Sequence, residues 1–232
     1  MLEILKELFR GESLLDQAYE ETVAILGVAR DMTLAASNSL RHSDSVDDSL
    51  DLYKTDKTIN KYERETRRKV LTHLAVSTAA DYAPALVLTS IVIDVERIGD
   101  YAKNILELAR AHPRALPAYA YEDRVQRLEE RVRVGFGRVS EAFQNSDEQS
   151  ARAFMTSHDE FSRLADAMVE EMITRDDGVP KSEAVALALY VRYLKRIEAH
   201  LTNIVSSVVN PFPRIGFRNK EDKAAGGGPK PQ

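Results

Sequence analysis

Apolar residues recur at intervals of three and four along nearly the whole chain, and that rhythm permits little besides helices. A first helix is expected from about Glu12 to about Arg41, with Leu15, Ala18, Val23, Ile25, Leu26, Ala29 and Met32 at this spacing. A second runs from about Val46 to Ser77, and a third from about Ala85 to Ala111 after a break near Thr78–Pro84. A fourth is expected from about Tyr121 to Gln144, where Gly135 and Gly137 mark a kink or a close contact. The fifth runs from Asn145 to about Arg175, and the sixth from about Lys181 to Val209. Asn210-Pro211-Phe212-Pro213 stops the last helix, and the remainder has no apolar period and reads as a flexible tail.

The clearest linker, His112-Pro113-Arg114-Ala115-Leu116-Pro117, divides three helices from three. The halves share residues. Ile93–Ile105 lies on Arg192–Ile204 with Arg-Ile and Asn-Ile in register, each segment in the third helix of its half. The expected fold is therefore all-α, two tandem three-helix bundles over 1–112 and 113–209, with a tail over 210–232. A short amphipathic helix, with Leu2, Ile4, Leu5, Leu8 and Phe9 mostly on one side, precedes the first bundle. It packs on the bundle or meets a membrane protein or membrane surface.

Composition removes whole classes of chemistry. The 232 residues contain no cysteine, which excludes disulfides, cysteine nucleophiles, thiolate zinc sites and iron–sulfur ligation. The net charge of −5 gives no general attraction to nucleic acid. The longest nearly apolar run, Ala83 to Ile93, is shorter than the roughly 20 residues a membrane helix needs. The composition fits a cytoplasmic protein.

Glu96 and Asp100 are four apart on the third helix, so their side chains share a face about 5–6 Å apart at Cβ. Two like charges there cost helix stability unless a cation neutralises them, and carboxylate oxygens suit hard metals or iron. Gly99 between them leaves room for a neighbouring element. Asp56, Asn60 and Glu63 share one face of the second helix and complete an oxygen-rich site if the two helices pack antiparallel. The same spacing also fits a solvated acidic face paired with Arg97, Lys103 or the arginines of the second helix, and spacing alone does not choose.

A ferritin-like oxidase needs Glu-x-x-His pairs. The residues three before the five histidines are Ser39, Val70, Ala109, Met155 and Ile197, so the motif is missing. No phosphate-binding glycine loop, Ser-His-Asp order or zincin motif is visible, and no catalytic residue is nominated.

The segment Asp81 to Ile105, with its core Glu96-Arg97-Ile98-Gly99-Asp100, resembles the signature of the PhoU family. Asp56-Lys57-Thr58-Ile59-Asn60 resembles that family's segment on the preceding helix, and the resemblance extends over roughly Gly11 to Val209. It implies two bundles side by side and a regulator of phosphate uptake. Such a regulator works at the inner face of the membrane, between phosphate transporter components and a sensor histidine kinase. It also implies a divalent or trivalent metal ion (iron, zinc, magnesium or manganese) on surface carboxylates. Carried over, the metal ligands are Asp56, Glu96 and Asp100, with Asn60, Arg97 and Tyr101 as accompanying binding residues. The chain meets the membrane through its partners, binds no nucleic acid, and a homodimer is left open.

The second half departs from the family pattern. Lys195 stands where the family has Glu and Ala199 where it has Asp, and a protonated ammonium ligates no metal. Glu198, one residue from Ala199, is turned about 100° round the helix. His158 or Asp159 is the candidate for the position of Asp56. The expectation is one metal site or none, with the second degenerate. Two other readings stand beside a non-enzymatic regulator. One is an accessory of an anion transporter without a kinase partner. The other is a metal-dependent hydrolase or oxidase, for which no base, nucleophile or histidine ligand stands in place.

Overall fold

Capping side chains decide where several of the helices begin. The computed structural model describes residues 13–44, 51–112, 114–175 and 178–217. Ser13 and Asp16 form a reciprocal capping box at the start of α1, Leu14–His42. Asp51 caps α2, Leu52–Leu74, by accepting from the Lys54 N–H. A 3₁₀ turn at Ala79–Asp81 leads into α3, Tyr82–Ala111. Pro84 lies in the first turn of α3, where the N–H it lacks has no intrahelical partner to lose. The second half comprises α4 (Glu122–Gln144), α5 (Glu148–Thr156), α6 (His158–Thr174) and α7 (Lys181–Val209). Asp147 caps α5 through two backbone N–H groups. No strand occurs among the described residues. The expected helix from Leu2 and the tail beyond Phe217 lie outside them.

α3 and α7 are the central helices of their bundles. On α3, Ala85, Leu88, Val92, Val95, Gly99, Ala102, Leu106 and Ala109 are buried at alternating steps of three and four. Ile91, Ile98 and Ile105 form a second buried row. Two buried rows let α3 pack on α1 and α2 on one side and on α7 on the other. One continuous core runs through both halves.

At the seam between α3 and α7, Tyr101 stacks on His200 with ring centroids 5.8 Å apart, and its ring lies 6.0 Å from that of Tyr193. Asp94 Oδ1 is 2.7 Å from His200 Nδ1 and accepts from Asn203 Nδ2 at 3.0 Å. From the second helix of each half onward, positions correspond at an offset of 99 residues (Glu96 to Lys195, Gly99 to Glu198). At that offset Asp94–His200 and Tyr193–Tyr101 are the same pair seen from either side, so the seam has approximate twofold symmetry.

Three expectations change. The fifth helix is two, broken at Ser157. Thr156 Oγ1 donates to the Arg152 carbonyl at 2.9 Å and Ser157 Oγ to that of Phe154 at 2.9 Å, side-chain bonds that compete with the helical ladder. The linker is a buried strap: Leu116 and Ala118 are fully buried, and the Leu116 N–H donates to the Leu40 carbonyl at 2.8 Å. Arg41, almost wholly buried, binds the Leu116 carbonyl, Glu122 and Glu129 from α1. Residues 210–217 fold back on α7. Asn210 Nδ2 donates to the carbonyls of Arg214 and Phe217, and the Gly216 N–H donates to Ser206 Oγ. Gly135 is a close contact, since a Cβ there would lie 3.2 Å from the Phe154 ring.

Candidate functional site

α2 and α3 cross where Ile59 meets Gly99. A Cβ on Gly99 would stand 2.8 Å from Ile59 Cδ1, so this position faces into the bundle and only the absence of a side chain admits Ile59. Glu96 and Asp100, on either side of it along α3, flank the crossing with Asp56 and Glu63 of α2. Asp56, Glu63 and Glu96 side chains are only 14–15% exposed and Asp100 29%, so these are recessed charges.

Cations are interleaved with them. Lys103 Nζ lies in the gap between the helices, 3.3 Å from Asp56 Oδ1 and 3.2 Å from Asp100 Oδ1. Arg97 reaches Asp100 at 3.1 Å and Glu96 at 3.5 Å from the solvent side. Arg67 holds Glu63 at 2.8 Å. These do not fully balance Glu96. Burial pushes its carboxyl above the usual range, Asp100 adds to this, Arg97 opposes it, and Glu63 and Asp56 push it further up.

Asp56, Glu96, Asp100 and Arg97 are thus brought together. Asn60 beside them spends its amide on the Asp56 carbonyl, 3.1 Å away. Tyr101 points elsewhere, to the seam, where it accepts from Arg196 Nε at 3.1 Å. Spacing did not single out Lys103 as the bridging group, because its partner Asp56 is 47 residues distant. As a donor set the cluster offers hard carboxylate oxygens short of positive charge, which suits a hard cation. Among the described residues no three histidine, aspartate or glutamate side chains are arranged to hold a metal ion. Lys103 fills the gap on which Asp56 and Asp100 would have to converge.

The second half is built differently at the same positions. Lys195, in the place of Glu96, donates to both oxygens of Asp166 at 2.6 Å. Glu198, in the place of Gly99, is fully buried. It accepts from Arg131 Nη2 at 3.0 Å and lies 2.5 Å from His158 Nδ1. Arg131 also lies over the Phe154 ring at 3.9 Å. His158 therefore holds Glu198, and its position corresponds to Ile59. Ala199 borders a cleft of about 350 Å³ lined also by His158, Asp159, Thr202 and Gly216.

The outer face of α2 carries exposed Lys54, Lys57, Lys61, Arg64 and Arg68 at helical spacing. The residues at the same positions of the second half are Ala153, Thr156, Glu160, Arg163 and Ala167, so the basic stripe belongs to the first half alone. No described helix is long and apolar enough to cross a membrane.

The family model described as the PhoU domain matches the chain twice, at residues 22–109 and 125–208. A curated relative from Caulobacter vibrioides is named a phosphate-specific transport system accessory protein PhoU homolog. It is 29% identical over 157 residues, covering 66% of this chain and 68% of that protein. The crystal structure of PhoU from Pseudomonas aeruginosa superposes with a TM-score of 0.72 at 23% identity, over 84% of this chain and 95% of that one. That of the phosphate transport system regulatory protein PhoU from Streptococcus pneumoniae gives 0.70 at 15% identity, over 84% and 93%. At these identities the two structures speak for the fold.

Proposed function

The chain belongs to the PhoU family, and on that premise we propose that it is a non-enzymatic regulator of phosphate uptake and phosphate-starvation signalling. It works on the cytoplasmic side of the membrane by contacts with phosphate transporter components and a sensor histidine kinase. The double match of the family model carries this reading. The names of the relatives support the transport half of it, since one is a transport-system accessory protein and another a transport-system regulatory protein.

A partner-facing surface is the first-half basic stripe. Like charges three and four apart on a helix each cost a few tenths of a kcal/mol. Among the described residues only Lys61 of the five has an ion pair, with Glu65 at 3.7 Å. A cost offset only at Lys61 within the described molecule supports contact with an acidic partner surface. Asp56, Glu96 and Asp100 would hold a divalent or trivalent metal ion, which when bound supplies positive charge. Arg97 screens the cluster from solvent, and Asn60 fixes the α2 backbone beside Asp56.

Affinity purification from phosphate-replete and phosphate-starved cells tests the reading. Transporter subunits and a sensor kinase are expected, with occupancy changing between the two conditions. Recovery of neither, together with an unaltered phosphate-starvation reporter in a deletion strain, would overturn it. Recovery of transporter without kinase would select the accessory role.

A further inference from the structure

We propose that Lys103 is the resident counter-ion of the first-half carboxylate cluster, and that its ammonium and a bound metal cation are alternative occupants of the gap between Asp56 and Asp100. The exchange rests on the metal reading above. The counter-ion role rests on geometry alone.

Lys103 spans the two helices. Its Nζ bonds Asp56 of α2 and Asp100 of α3, with the side chain 24% exposed. An ammonium is a compact point charge on a flexible four-carbon stem, so it can sit between carboxylates or swing out to water. Both bonds place nitrogen more than 3 Å from oxygen. A divalent cation draws carboxylate oxygens to about 2.0–2.6 Å and leaves no room for the ammonium. Arg97 is not the competitor, because its guanidinium is half exposed and approaches Glu96 and Asp100 from outside the gap.

The second half supplies the contrast. There the lysine has replaced a carboxylate, Lys195 for Glu96, and it bonds Asp166 of the preceding helix. Thr202 stands where Lys103 would be. Each central helix thus sends one lysine to an aspartate on the helix before it. In the second half no carboxylate remains at the positions of Glu96 and Asp100 for a metal cation to bind in the lysine's stead. In the first, all the carboxylates remain and the lysine is an added, removable neighbour.

The test is a calorimetric Mn²⁺ titration of the full-length protein, of Lys103→Met and of Asp56→Asn, with melting curves of the metal-free forms including the double variant. Lys103→Met is expected to bind Mn²⁺ at least tenfold more tightly than the parent protein, and Asp56→Asn more weakly. Metal-free Lys103→Met should melt a few degrees lower, and that loss should shrink in the Asp56→Asn background, where only Asp100 still pairs with the lysine. Equal or weaker Mn²⁺ binding by Lys103→Met than by the parent overturns the exchange. No binding by any form overturns the metal site itself and the exchange with it. The counter-ion role is decided separately: a melting loss undiminished without Asp56, or no loss at all in Lys103→Met, overturns it.

Discussion

The two halves of this chain share a scaffold and place their charges in opposite ways. In the first, the carboxylates Asp56, Glu96 and Asp100 line a recessed but solvent-touching crossing, and the position facing the core is Gly99 against Ile59. In the second, the flanking carboxylates are gone and one sits at the core-facing position itself, Glu198. Moving a carboxylate by one residue along a helix turns it about 100°. Here that takes it from the crossing surface into the interior, where it must find permanent partners. The rest of the pocket changes in concert. Ile59 and Gly99 of the first half correspond to His158 and Glu198 of the second, and Arg131 of α4 joins them. An apolar contact has become a charged one that closes on itself through Arg131.

The severest break of this comparison is Gly99→Glu. It places a carboxylate against Ile59 with neither an arginine nor a histidine to meet it, and should destabilise the protein by about 4 kcal/mol. Urea unfolding measures this. Adding Ile59→His should recover part of the loss, and a double variant no better than the single would refute the correspondence. Next is Glu198→Ala. It strands Arg131, whose Nε is already buried without a partner, and should cost about 3 kcal/mol in the same assay. Arg41→Leu should cost about 2 kcal/mol, because it leaves the Leu116 carbonyl and two glutamates uncompensated at the junction. Its unfolding transition should broaden as the halves uncouple.

The smallest effect has the opposite sign. The Glu96 carboxyl is raised above its unfolded value by burial and by Asp100. The native state therefore holds its proton more tightly, and the charged form is a burden at neutral pH. Glu96→Gln should stabilise the metal-free protein by about 0.3 kcal/mol at pH 7.5, the scale of one like-charge pair. The gain should shrink as the pH falls through the raised value and vanish below the ordinary carboxylate range. A gain that grows with acid would contradict the sign. Glu198→Ala and Glu96→Gln together thus oppose a fixed buried charge to a crowded, recessed one.

Most of the architecture was legible because it is written in local periodicity. The buried rows of α3 and α7 recur at threes and fours, and the shared Arg-Ile and Asn-Ile revealed the duplication. The clustering of Asp56 with Glu96 and Asp100 followed from one assumption, antiparallel packing of α2 on α3. What stayed hidden depends on partners distant in sequence. Arg131 lies 67 residues from Glu198, so nothing local announced that Glu198 is an interior group. Lys103 was one of several cations that spacing could pair with the acidic face, and only the crossing of two helices selects it. The break at Ser157 has no proline or glycine to mark it, only hydroxyls that bond backward. The strap at Leu116 read as a loop because it is held by Leu40 and Arg41 of α1, far away in sequence, and not by a pattern of its own.

The seam of Tyr101, His200 and Asp94 has a further consequence. Contacts that repeat under a twofold exchange are those of two identical subunits meeting face to face. Two separate copies of one gene product would be bound to change both sites together, since every substitution appears twice. Joined in one chain, each half mutates alone. The seam could lose its identical pairs, Asp94 standing where the other half has Tyr193. One half was free to keep a solvent-touching carboxylate crossing while the other bricked its own up with charge.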